Sequence, residues 1–142
     1  MRYKCVVEDK CKSFIKDFDT FVEIWNDCSY FHDATLAGIE FNDEHDSCIV
    51  RLRCYYYLVA LKFLRVHAIL TDIPDFRSSF FYYVSFYVKP HCDYGECIIM
   101  ETDGDLVKVV AEEMEVFEYK GISAPSAGLS RILYRNASYP QY

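Results

Sequence analysis

Apolar residues recur at steps of three and four over residues 13–27, where Phe14, Phe18, Phe21, Val22 and Trp25 fall on one stripe. The spacing predicts an amphipathic helix with Ser13 as N-cap and Asp17 early in it. Lys16, Asp19, Glu23 and Asn26 take the solvent side. A helix with such a stripe must lie on an apolar surface, and the segments that follow supply one. Before the helix, residues 1–11 alternate loosely around Tyr3, Cys5 and Val7 and read as a short edge strand or an arm.

After residue 34 the period drops to two. Residues 35–41 read as a strand in which Gly38 marks a bulge or a close backbone approach. Residues 42–47 form a polar turn. Residues 48–58 alternate most clearly, with Cys48, Val50, Leu52, Cys54, Tyr56 and Leu58 on the core face. Residues 61–71 give another strand, with Phe63, Arg65, His67 and Ile69 on one side; the segment around Pro74 ends it. Residues 79–89 are apolar or tyrosine-rich on both faces, which predicts a central or doubly covered strand. Residues 96–102 and 106–119 are joined by Asp103-Gly104, a hairpin signal. The last strand changes phase, so a bulge near Glu112-Glu113 or a break into two strands is expected. Residues 129–142 are a further strand or a tail. The fold class is α+β, one N-terminal helix packed on a mostly antiparallel, strongly twisted sheet of about six strands. At 142 residues it reads as a single domain.

The net charge of −7 disfavours nucleic acid and anionic membrane surfaces as partners, since both need a basic footprint. It suits a basic protein partner. Seven cysteines, no Cys-x-x-Cys pair and no apolar leader point to a cytoplasmic chain with free thiols, several of them buried.

No constellation specifies a reaction or a cofactor. His32-Asp33 could do acid–base work or bind metal, but strand neighbours point to opposite faces, so the expectation is a structural His32 bonded to backbone. His91, Cys92 and Cys97 lack the second knuckle that zinc would need. The glutamates after residue 111 read as a solvent face. Hence no catalytic residue and no metal ligand is assigned. What stands out is a surface: Arg51, Arg53, Tyr55 and Tyr57 share one strand face, Arg65 and His67 the next, and a hairpin would gather them into a partner-binding patch. The competing reading is that the tyrosines cover the helix and the arginines pair with surplus carboxylates.

The junction Tyr30-Phe31-His32-Asp33-Ala34, between a helix and a strand, resembles a group of small bacterial proteins with a Phe/Leu-His-Asp-Ala motif near the N-terminus. Several of these are classed as immunity proteins of polymorphic toxin systems. The similarity spans about the first 60 residues. It implies an α+β domain that binds a cognate toxin, with Phe31, His32 and Asp33 holding the fold, and it carries over no catalytic residue. The leading expectation is therefore a non-enzymatic binding protein. The alternatives are a ligand-binding or enzymatic β-domain with an aromatic pocket served by His32 or His67, and a self-associating module that dimerises through strand edges or tyrosines.

Overall fold

The computed structural model describes residues 5–72, 81–103 and 106–122. The fold is α+β, as the periods imply, but the sheet is mixed and has seven strands. These are β1 (Val6–Val7), β2 (Thr35–Phe41), β3 (Ser47–Cys54), β4 (Tyr57–Thr71), β5 (Val84–Pro90), β6 (Glu96–Thr102) and β7 (Val107–Gly121), in the order β1-β5-β6-β7-β4-β3-β2. The expectation of about six mostly antiparallel strands is corrected by β1, which pairs parallel with β5 and adds a strand.

The one α-helix, α1, runs Phe18–Asp27 and is shorter than the apolar stripe suggests. Residues Asp9–Ser13 form a 3-10 turn instead, and Ile15 bridges to Met114 of β7. The Met114 N–H donates to Phe14 O at 2.9 Å and the Lys16 N–H donates to Met114 O at 2.9 Å. Those bonds spend backbone groups that a first helical turn would need, so Ser13 caps nothing and Asp17 stands at the N-cap with φ 52°. The stripe keeps its purpose: Phe21 and Trp25 are in the core, and Phe14, Phe18 and Val22 pack against it.

Two strand boundaries also move. The alternation expected over 48–58 breaks at Tyr55-Tyr56, where Cys54 pairs with Tyr57 across a tight turn and Tyr55 has φ 56°. No Gly, Asn or Pro marks that turn; two exposed tyrosines make it. The segment after Asp103 joins antiparallel β6 and β7 as predicted, with Thr102 Oγ1 accepting from Val107 N at 2.9 Å. β5 lies inside the sheet between β1 and β6, as expected, but is fully buried on one face only: Val84, Phe86 and Val88 are buried while Ser85 and Tyr87 on the other face are half-buried. The final segment, 129–142, lies outside the described residues.

The phase change in β7 is present and its partner shares it. Met114 and Ala111 both reach the main core, as do Phe63 and Val66 opposite. Between them Arg65 adopts φ 53°; the expected bulge is not at Glu112-Glu113, where pairing is continuous, and the register shifts fall at His67 of β4 and Phe117 of β7. The predicted bulge at Gly38 is likewise seen, between Leu36 and Gly38, with open space around the missing side chain. Of the cysteines, Cys11, Cys28, Cys48, Cys54 and Cys97 are buried, all as free thiols. Burial pushes Cys11 up to about 12 and Cys48 up to about 11, which leaves them unreactive packing groups.

Candidate partner-binding surface

The Phe-His-Asp-Ala junction is a left-handed turn. Ser29, Tyr30 and Phe31 have φ of 53°, 61° and 58°, and Asp33 has 64°. Each such residue costs about 1–2 kcal/mol, so something must hold the turn. Phe31 does: its ring is fully buried among Trp25, Phe21 and Phe86. Below it the Asp33 N–H donates to Phe81 O and the Phe81 N–H to Ala34 O, both at 2.9 Å. The side chains of His32 and Asp33 are exposed and face each other, Nδ1 to Oδ2 at 3.2 Å. The expected opposite orientation fails because Asp33 is left-handed, not extended. The expected bond from the His32 ring to backbone is replaced by this pairing.

The six patch residues do not gather. Arg51 and Arg53 point outward from β3, level with Ala60 and Leu58 of β4. Arg65 and His67 lie beyond the end of β3, about 20 Å further along β4. Tyr55 is in the turn, and Tyr57 turns inward, stacked on Tyr119 with ring centres 5.2 Å apart. The arginines meet carboxylates: Arg51 binds Glu40 at 2.7 Å, and Arg65 binds Glu112 and Glu113 at 2.8 Å each.

His67 sits in the most organised polar cluster. Its Nε2 is 2.8 Å from Glu112 Oε2, while Glu112 Oε1 accepts from Arg65. The loop between β5 and β6 folds back so that Tyr94 stacks on the imidazole, ring centres 3.7 Å apart. Nearby, Cys97, Ile99 and Val110 form a second small core, joined by Ala68 and Tyr87. The hydrogen bonds from His67 and Arg65 hold Glu112 below its ordinary value of 4.5. A carboxyl whose pKa is depressed by folding adds stability above its unfolded value and loses it as pH falls through the folded one. Wild type should therefore exceed Glu112→Gln in Tm most clearly above about pH 5, with the gap closing as pH falls below 4.5. A gap unchanged down to about pH 2 would remove Glu112 from the linkage. Imidazole, carboxylate and guanidinium here satisfy one another, which is the chemistry of a clasp.

The larger feature lies outside the Arg/Tyr patch and is written in the sequence itself. Between Lys16 and Arg51 there is no Lys or Arg, yet the stretch holds Asp17, Asp19, Glu23, Asp27, Asp33, Glu40, Asp43, Glu44 and Asp46. These are nine of the chain's 22 carboxylates; the remaining 13 face all 15 Lys and Arg elsewhere. The net charge thus belongs to one segment. All nine residues are exposed. They occupy the N-cap and outer side of α1, the motif turn, β2 at Glu40, which pairs with Arg51, and the β2–β3 turn, where Asn42 Oδ1 accepts from the Asp46 and Ser47 N–H groups at 3.0 Å each. Beside α1 an open groove of about 380 Å³ runs against β7, lined by Lys16, Asp17, Thr20 and Ile24 on one side and residues 115–119 on the other.

Comparison with known families, curated proteins and solved structures returned no match. Among the described residues no group of His, Cys, Asp and Glu is arranged to hold a metal ion, and no helix is long and apolar enough to cross a membrane.

Proposed function

We propose that this is a non-enzymatic, cytoplasmic binding protein whose acidic segment meets a basic protein partner. Its most concrete form is an immunity protein that occludes a cognate toxin. The supporting observation is the run of nine exposed carboxylates with no intervening Lys or Arg. Such a field raises the encounter rate with a basic surface and is screened by salt. Blockade is steric: the partner's working surface is covered, and no group on this chain need react.

The test is affinity capture from a lysate of the native host, followed by binding kinetics on the captured partner. The double variant Asp19→Lys/Glu23→Lys, altered only at exposed positions of α1, should slow association by about tenfold or more at low salt and weaken the salt dependence. Capture of an acidic partner, or an association rate indifferent to both the variant and salt, would sink this reading.

A further inference from the structure

We infer that the edge of β7 facing α1 is a strand-addition site for an extended, Lys- or Arg-bearing segment of the partner. On one side β7 pairs with β4 from Val107 to Gly121. On the other, β6 covers only Lys108 to Ala111. Past β6, Ile15 takes a single strand position beside Met114. The two bonds it brings, Met114 N–H to Phe14 O and Lys16 N–H to Met114 O, show that the Met114 backbone points away from β4. Alternation from Met114 then aims the N–H and C=O of Val116 the same way, one residue before the register shift at Phe117. The chain leaves that track at Asp17, whose φ of 52° turns it into α1. Over residues 115–119 nothing further among the described residues pairs with this side of β7, and the groove between α1 and those residues opens there.

A strand edge walled by a helix suits an added strand, because main-chain bonds supply affinity and alternate side chains supply specificity. Ile15 already demonstrates that this edge accepts one. Charge selects the occupant: Asp17 and Glu115 line the groove against Lys16, Glu118 lines it already paired with Lys120 at 3.3 Å, and α1 adds Asp19 and Glu23 beyond it. A second copy of this chain would bring the same carboxylates edge to edge, and like charges oppose that pairing. A basic extended segment meets both demands. The inference rests on the binding-protein reading for the partner's charge, and on β7 alone for the mode of binding.

The probe is a peptide of about eight residues alternating Lys and Val, added to the full chain. Two controls carry Glu in place of Lys, or N-methyl groups at alternate amides. Binding of the Lys/Val peptide should slow amide exchange at Val116 about tenfold or more, and each control should bind at least about tenfold more weakly. Thr20→Arg, at an exposed position that narrows the groove, should lower affinity by a similar factor. Three results would overturn the inference: equal binding of the N-methylated peptide, protection appearing along β2 instead of Val116, or a Val116 amide already slow in the free chain because another segment of the chain occupies the edge. Native partner capture separates the two proposals. Loss of capture in Thr20→Arg supports the groove. Capture retained in Thr20→Arg but lost in Asp19→Lys/Glu23→Lys overturns the groove and leaves the binding function standing.

Discussion

Replacing Phe31 by alanine is expected to cost about 3–5 kcal/mol, a large share of the stability of a domain this size. The ring is fully buried and sits 5.1 Å from Trp25 at 79°, with Phe21 at 6.3 Å and Phe86 at 6.2 Å. Those neighbours come from α1 and β5, so each is fixed by its own element and cannot move in to fill the space. The cavity term therefore adds to the lost transfer energy. A second loss follows from the backbone. The left-handed residues 29–31 are held against their own preference by this one anchor. With the ring gone the turn relaxes, and the Asp33 amide, bonded to Phe81 O at 2.9 Å, should exchange faster than global unfolding accounts for. Urea melts of Phe31→Ala beside Tyr30→Ala make the comparison, because the Tyr30 ring is half exposed and meets Trp25 from the solvent side, ring centres 5.9 Å apart. Equal losses in the two variants would mean that the junction is not pinned from inside.

That anchor was legible in the sequence as part of a motif, but its mechanism was not. Period-two and period-three-to-four patterns report which residues face the core, and they did so for Phe21, Trp25, Val50 and Leu52. They do not report where the chain turns when the turn is made of bulky residues. Tyr55-Tyr56 and Ser29–Phe31 both reverse the chain with side chains that favour strands, because surrounding pairing outweighs local preference. The helix start was misplaced for the same reason: the bridge from Ile15 to Met114 is a contact between residues about 100 apart, invisible to any local window. Parity arguments also fail past a bulge. Counting in twos puts Arg65 and His67 on the face of Phe63, but the left-handed Arg65 and the shift at His67 reset the count, and Arg65 is exposed while Phe63 is buried. The acidic segment needed no structure at all. It was hidden by taking net charge over the whole chain, where the near-balance outside residues 17–50 diluted it.

Asp103→Ala should cost about 2–3 kcal/mol, the second largest effect among these single changes. Aspartate before glycine reads as turn chemistry, a residue chosen for the backbone angles it tolerates. In the fold it does something less local. Its side chain is nearly buried, and Oδ1 accepts the Tyr82 N–H at 2.9 Å and the Tyr83 N–H at 3.4 Å. Its own N–H donates to Tyr83 O at 3.3 Å. One carboxylate thus ties the β6–β7 loop to the entry of β5. Alanine would strand the Tyr82 N–H without its acceptor, and a bond to a charged group is worth more than a neutral one. Asparagine keeps an acceptor oxygen at the same place and should lose only about 1 kcal/mol. The distinguishing readout is local: amide exchange at Tyr82 should rise in Asp103→Ala and stay slow in Asp103→Asn, while Phe86 in the middle of β5 follows global stability in both. If Asn and Ala destabilise alike, the role of Asp103 is in the turn itself and not in the hydrogen bonds it makes across to β5.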